Sequence, residues 1–194
     1  MKVTRIKSFP ITDDMGKLYF IVKVETDCGI NGLGEVGISR WGGAIGKAIE
    51  HLSQIVIGQD PFATEKLWQH MFRGNFFPAD KVYMCAISSI DMALWDIKAK
   101  SVNMPLYKLL GGPVRDKVVC YPHTYGDNIE QLIDSCKRHV DDGWKFVRWH
   151  QPETGSAGYG YNLDSDTGME FNVLEPVESI KIAEEQIALI RDAI

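Results

Sequence analysis

The order of predicted strands and helices changes near residue 117, and this change constrains the fold more than any other feature of the sequence. Before it, strand patterns come first and helix patterns follow. Strands are predicted at 3–7, 18–24 and 30–35, and helices from Ala44, from Pro61, over 81–102 and from Pro105. This order is typical of an α+β unit, here with a small antiparallel meander. The closely spaced Gly32 and Gly34 predict a bent or bulged third strand.

After residue 117 the sequence alternates between strands and helices. Strands are predicted at 118–121 and 144–149, one helix after a capping-box pattern at Asp127, and a second helix over 180–190. Such alternation is the signature of a parallel sheet with outer helices. A polar insert at 151–174 follows the second strand, in a position where long loops usually serve function. We therefore predict two domains, residues 1–117 and 118–194.

Composition and charge exclude several classes of protein. The chain has 45% hydrophobic and 24% charged residues, as ordinary globular proteins have, with a formal net charge of -5. This acidic balance offers no basic surface for a nucleic acid. No apolar run approaches the roughly 20 residues that span a bilayer, so no membrane partner is expected. The four cysteines form no CxxC pair and residues 1–10 show no secretion signal, so we expect a cytoplasmic protein with reduced thiols.

Three motifs carry a resemblance to a known enzyme family. They are Gly32-Leu33-Gly34-Glu35, the stretch SIDMALWDIKAK at 89–100 and the stretch PLYKLLGG at 105–112. Together they resemble the N-terminal capping domain of the enolase superfamily, in the mandelate racemase-like branch that contains galactonate and mannonate dehydratases. The resemblance implies an α+β capping domain, a three-stranded antiparallel meander plus helices, followed by the first two βα units of an incomplete TIM-type barrel.

The same resemblance implies a function. It predicts the N-terminal part of a Mg²⁺-dependent acid-sugar dehydratase, a hydro-lyase that removes the proton α to a carboxylate and then loses water. The product is a 2-keto-3-deoxy sugar acid. In this family three carboxylates at the ends of later barrel strands hold the Mg²⁺ ion, so its ligands are expected beyond residue 194 and none within this chain. The partners implied are a small sugar-acid substrate and further copies of the enzyme.

Length supports this expectation independently of the resemblance. A complete eight-unit barrel takes roughly 250 residues, and residues 118–194 supply only two units. We therefore expect a fragment or a natural truncation that is inactive by itself.

Residues at the ends of the predicted barrel strands are the candidates for catalysis. Arg148 and His150 alternate with Trp149, so both side chains lie on one face of their strand. The resemblance to mannonate dehydratases implies that Arg148 works with Tyr159, in the following loop, as the base. A neighbouring guanidinium favours the phenolate, which brings a phenol closer to accepting a proton at neutral pH. Tyr161 is the alternative phenol, and a histidine later in the protein is the alternative base.

Substrate contacts are predicted from His123 and from two loops of the capping domain. His123 matches a substrate-contacting histidine of those dehydratases, and its imidazole can hydrogen-bond sugar hydroxyls or the carboxylate. The loop residues are Ser39, Arg40, Trp41 and Phe77. Mannonate dehydratases have an asparagine where this chain has Ser39, which leaves the exact sugar acid open.

Other interpretations stay open on the sequence alone. A racemase or epimerase of the same branch is the nearest alternative, although Arg148-Trp149-His150 replaces the Lys-x-Lys pair of many such enzymes. A non-catalytic remnant or interaction protein is the second. At single residues, Arg148 pairing with an acid and tyrosines that only pack the loop are the structural alternatives.

Overall fold

A computed structural model describes residues 1–14, 17–38, 41–74, 76–149, 162–164, 168–170 and 176–194, with backbone alone for 162–164, 168–170 and 176–179. The chain forms two compact units, Met1–Val114 and Arg115–Ile194. No helix among the described residues combines the length and the apolar character needed to cross a membrane.

The first unit begins with the predicted antiparallel sheet. Its strands are β1 (Val3–Thr12), β2 (Leu18–Thr26) and β3 (Asn31–Glu35), in the order β1-β2-β3. Period-two alternation places Phe20, Val22 and Val24 of β2 on the buried face. The turn between β1 and β2 is closed by Asp13, whose carboxylate accepts a hydrogen bond from the backbone N–H of Lys17 at 2.8 Å.

Four helices follow, and the buried face of the sheet packs with the first three of them around one core, whereas the short fourth helix buries no residue. They are α1 (Gly42–Val56), α2 (Thr64–Arg73), α3 (Lys81–Ser101) and α4 (Leu106–Leu109). The three- and four-residue spacing of Ile87, Ile90, Leu94 and Ile97 predicts one apolar face of α3, and all four side chains are fully buried. Burying each such side chain contributes about 1.5–3 kcal/mol. Asp80 caps α3 by accepting hydrogen bonds from the backbone N–H groups of Val82 and Tyr83.

The third strand is regular, so the prediction of a bend or bulge there was wrong. Its pairing with β2 runs without interruption. The glycines instead allow β3 to lie directly against α3, since a Cβ on Gly32 would overlap the carbonyl oxygen of Ala93. A Cβ on Gly34 would likewise overlap that of Ser89. The close approach of two backbones explains this glycine pattern.

The second helix begins three residues later than the Asp60-Pro61 pattern predicts. The Asp60 carboxylate accepts a hydrogen bond from the N–H of Phe62 at 2.9 Å, and the Asp60 carbonyl accepts one from Ala63. This side-chain turn uses Asp60 before the helix starts at Thr64. A turn and an N-cap share the same residue preferences, which is why the pattern misplaced the boundary.

The second unit contains the predicted parallel pairing. Strands β4 (His123–Thr124) and β5 (Arg148–Trp149) pair in parallel, and α5 (Ile129–Asp141) connects them. The later α6 (Pro176–Ala193) contributes Ile190 to a small core with Leu132 and Cys136, all fully buried. The predicted polar insert contains an antiparallel pair, β6 (Asn162–Asp164) and β7 (Gly168–Glu170).

Three local predictions in the second unit were wrong. The strand expected at 118–121 lies at His123–Thr124, where the Pro122 carbonyl accepts the N–H of Arg148, and Val118 is 77% exposed. The cap of α5 is Asn128 rather than Asp127, because the Asn128 side chain accepts the N–H of Gln131. The spacing of Ile180, Ala183, Ile187 and Ile190 predicts a buried stripe on α6, but the helix buries Gln186 and Ile190 and leaves Ile180 and Ile187 exposed.

Candidate active site

A row of aromatic side chains lies along β4. The rings of Tyr121 and His123 stack with centroids 6.1 Å apart and planes at 19°. The ring of Tyr125 follows at 6.2 Å from His123, tilted by 39°. In the sheet, His123 is the register partner of Arg148. The parallel pairing therefore brings two of the predicted site residues, His123 and Arg148, side by side at the ends of neighbouring strands.

The guanidinium of Arg148 contacts Tyr121 in two ways. Its Nη1 donates a hydrogen bond to the Tyr121 hydroxyl at 3.5 Å. The same guanidinium carbon lies 6.0 Å from the centroid of the Tyr121 ring, within cation–π range. Both side chains stay accessible to solvent. The arrangement presents a positive charge on the accessible face of the strand, where the guanidinium can attract a carboxylate.

His123 has a polar neighbour on its other side. The Tyr125 hydroxyl lies 3.4 Å from His123 Nδ1, and which of the two groups donates depends on the imidazole tautomer. An imidazole with one nitrogen in such a contact can use its second nitrogen as a donor or an acceptor toward a sugar hydroxyl.

The alternate residues of the same strands serve the core. Thr124 is buried, and Trp149 packs against the cluster around Leu132 and Cys136. Because successive side chains of a strand point to opposite faces, Trp149 anchors β5 while Arg148 lies on the opposite, accessible face. This division supports the interpretation that the face with Arg148 carries the chemistry.

Five of the residues named in the sequence predictions lie outside the described part of the chain. They are Ser39, Arg40, His150, Tyr159 and Tyr161. Their roles stay predictions, including the pairing of Arg148 with a loop tyrosine.

The two described loop residues of the first unit are both accessible. Trp41 immediately precedes α1 and is 46% exposed. Phe77 precedes α3 and meets Phe76 edge to face, with centroids 5.1 Å apart. Phe77 also borders a cleft of about 320 Å³, whose lining includes His51 and Tyr83. Exposed aromatic rings of this kind can cover a ligand, but their role as substrate contacts stays a prediction.

The described residues do not fit a divalent metal ion. Among them, no group of three or more His, Cys, Asp or Glu side chains is placed to hold one. Magnesium needs several oxygen ligands in near-octahedral geometry.

Charged residues of the long helix have structural partners. The Asp96 carboxylate accepts the backbone N–H of Leu33 at 2.9 Å and forms an ion pair with Lys100 at 2.6 Å. Lys98 donates to the Thr64 hydroxyl at 2.9 Å. These contacts hold α3 to β3 and to α2, as expected of interface pairs rather than catalytic groups.

Tyr121 and Tyr125 are candidate site residues that the sequence interpretation missed. The signal was present, because Tyr121, His123 and Tyr125 alternate at period two around a predicted strand end.

Comparison with known proteins decides the family. The family model described as "Mandelate racemase / muconate lactonizing enzyme, N-terminal domain" matches residues 8–111, more than half of the chain. The chain belongs to this family. The match confirms the predicted assignment to the mandelate racemase-like branch of the enolase superfamily, as an N-terminal portion, and the predicted capping-domain fold.

Two relatives are named as a dehydratase or as a member of a dehydratase family. A D-galactonate dehydratase family member from Oceanicola granulosus is 37% identical over 182 residues, which are 93% of this chain and 44% of the relative. A D-mannonate dehydratase from Novosphingobium aromaticivorans is 38% identical over 74% of this chain and 35% of the relative. The chain therefore spans less than half the length of these relatives.

Solved structures of similar fold cover the chain completely or nearly so. An enolase from Pantoea ananatis, crystallised with bound D-gluconate and Mg, has a TM-score of 0.82 and 28% identity over 100% of this chain and 51% of its own. A putative dehydratase from Zymomonas mobilis has a TM-score of 0.76 and 31% identity over 99% of this chain and 51% of its own. These two structures therefore cover both units of the chain.

Proposed function

We propose that the chain is the N-terminal part of a Mg²⁺-dependent acid-sugar dehydratase. The observation that carries the proposal is the pairing of His123 with Arg148 at the ends of two parallel strands, with a phenol in contact with each. The dehydratase names of the relatives support it. The neighbour that binds D-gluconate and Mg supports the substrate class and the metal.

The proposal extends to the architecture. Residues 1–117 are the capping domain and residues 118–194 the first two units of a TIM-type barrel. The parallel β4–β5 pair with α5 between its strands supports a barrel, because parallel neighbours need such a crossover. The proposal places the magnesium ligands on carboxylates beyond residue 194.

The proposed reaction begins with removal of the proton α to the substrate carboxylate. The base is Tyr159 assisted by Arg148, or a histidine later in the protein. A guanidinium next to a phenol favours its ionised form, so the base operates closer to neutral pH. Loss of the β-hydroxyl as water then gives an enol, which tautomerises to the 2-keto-3-deoxy acid.

The remaining assigned residues bind the substrate. His123 hydrogen-bonds a hydroxyl or the carboxylate of the sugar acid, and His150 supports catalysis from the same strand end as Arg148. Specificity comes from the capping-domain residues Ser39, Arg40, Trp41 and Phe77. Cytoplasmic location and self-association accompany the proposal as predictions.

The test is an assay for 2-keto acid formation. The enzyme that contains this sequence is incubated with Mg²⁺ and a panel of aldonic and aldaric acids. Arg148→Lys should lower kcat by about 10²-fold or more, since a positioned base contributes roughly that much and lysine does not replace a guanidinium. Arg138→Lys, on an exposed surface of α5, is the matched control. The absence of any 2-keto acid across the panel would refute the proposal.

A racemase or epimerase is the second candidate, because the description of the matching family names mandelate racemase. It would exchange the α-proton with solvent and retain every hydroxyl. Proton NMR in deuterium oxide separates the two reactions. Deuterium at the α-carbon of an otherwise intact sugar acid would favour the racemase.

A further inference from the structure

Tyr121 contacts His123 and Arg148, the two described residues of the second unit to which the proposed function assigns a role. Its ring stacks on His123 at 6.1 Å with nearly parallel planes. Its hydroxyl accepts the hydrogen bond from Arg148 Nη1, and its ring lies 6.0 Å from the guanidinium carbon. One side chain thus meets the imidazole through its ring face and the guanidinium through its hydroxyl and its ring.

These contacts matter because Arg148 is accessible to solvent and has a long side chain. An unrestrained arginine loses considerable rotamer freedom when it engages a ligand, whereas a guanidinium already restrained loses less. The start of the side chain is fixed as well, since the Arg148 N–H donates to the carbonyl of Pro122 at 3.1 Å. Pro122 follows Tyr121 directly in the chain. Two adjacent residues therefore contact Arg148, Pro122 through its backbone carbonyl and Tyr121 through its hydroxyl.

We propose that Tyr121 is a positioning residue, which holds the guanidinium of Arg148 and the ring of His123 in one arrangement. It acts through these two residues and is not itself assigned contact with the substrate. Its meaning for catalysis rests on the proposed dehydratase function. The restraint on Arg148 is a property of the chain itself and is measured without any substrate.

The primary test is side-chain NMR of the ¹⁵N-labelled 194-residue chain. The Nε–Hε signal of Arg148 is assigned by its loss in Arg148→Lys, and its heteronuclear NOE reports restriction on the picosecond to nanosecond timescale. Tyr121→Phe removes the hydroxyl and keeps the ring, whereas Tyr121→Leu removes both. The NOE should fall from the wild type to Tyr121→Phe and fall further in Tyr121→Leu, to the level of the exposed Arg191.

Tyr125→Phe is the matched control. It removes a phenol hydroxyl of the same aromatic row, whose partner is His123 rather than Arg148. The Arg148 NOE should keep its wild-type value in this variant. Backbone amide spectra establish that each variant is folded. A wild-type NOE already equal to that of Arg191, or an equal loss in Tyr121→Phe and Tyr125→Phe, would overturn the proposal.

A second measurement separates this inference from the proposed function. In the active enzyme, a loosened Arg148 favours the phenolate base less, so the base has a higher pKa. The acidic limb of the kcat/KM profile should then move to higher pH in Tyr121→Phe. If no sugar acid reacts, the dehydratase proposal fails while the NOE result still decides the role of Tyr121. If activity is present but neither the NOE nor the limb changes, the positioning role alone is wrong.

Discussion

Replacing Gly34 with alanine tests the close packing of β3 on α3. The backbone of Gly34 lies outside the left-handed region, so alanine can adopt its conformation. On backbone grounds, alanine should stabilise the fold by about 0.4–1 kcal/mol, because it reduces the freedom of the unfolded chain. The added Cβ, however, would overlap the carbonyl oxygen of Ser89, which belongs to a rigid helix backbone. The strand must therefore move away from α3.

The expected size follows from two losses. Overpacking of this kind costs about 1–3 kcal/mol. Separation of the strand also weakens the hydrogen bond from Leu33 to the Asp96 carboxylate, and bonds to charged groups contribute about 1.5–3 kcal/mol. Against the small backbone gain, Gly34→Ala should lower the free energy of unfolding of the first unit by about 2 kcal/mol or more, roughly 30-fold in the folded-to-unfolded ratio.

The measurement is a urea titration followed by amide signals of the first unit, together with hydrogen exchange of the Leu33 amide. Gly37→Ala is the matched control, since a Cβ there meets nothing within 4 Å. It should change stability by no more than the backbone gain. Equal urea midpoints for the two variants, with a Leu33 amide as protected as in the wild type, would refute the packing argument.

Three further predictions concern single sites. Burial raises the pKa of the half-buried Asp91 carboxyl, so its ionised form opposes folding. Asp91→Asn should raise the urea midpoint at pH 7. It should leave the midpoint unchanged at about pH 3, where the carboxyl is protonated in both the folded and the unfolded state. An equal rise of the midpoint at both pH values would contradict this prediction. Asn128→Ala should destabilise α5 by about 0.5–2 kcal/mol in a urea titration, and by more than Asp127→Ala, because Asn128 is the cap. Burial raises the pKa of the Cys136 thiol and keeps it from solvent. A thiol reagent should therefore modify the exposed Cys28 in the native protein, but Cys136 only after unfolding. Mass spectrometry of the labelled peptides measures both reactions.

The regular spacing of apolar residues made the long strands and helices predictable from the sequence. The three- and four-residue steps of Ile87, Ile90, Leu94 and Ile97 belong to one helix face, and that face is fully buried. Element ends were less predictable where one residue can serve two local structures. Asp60 closes a turn instead of capping a helix. At the start of α5, two adjacent polar residues competed for the cap, and Asn128 takes it.

The site was predictable only in part, because its contacts join distant segments. His123 and Arg148 were found from their places at strand ends, and the sheet pairs them. The contact of Tyr121 with Arg148 spans 27 positions along the chain, so no local pattern could reveal it. The glycines of β3 were misinterpreted for the same reason, since the helix backbone they accommodate lies about 60 residues further along the chain.

The contacts between α3 and β3 affect whether a strand of another chain can pair with the outer edge of β3. The outer edge of a sheet normally offers free N–H and C=O groups that can pair with a foreign strand. Here the N–H of Leu33 is bonded to Asp96, and the carbonyl of Asn31 accepts from Lys100 at 2.9 Å. An incoming strand can pair with the Leu33 N–H only by breaking its contact with Asp96, and Lys100 already occupies one of the two lone pairs of the Asn31 carbonyl. The same helix that completes the core thus also makes strand addition at this part of the edge less favourable.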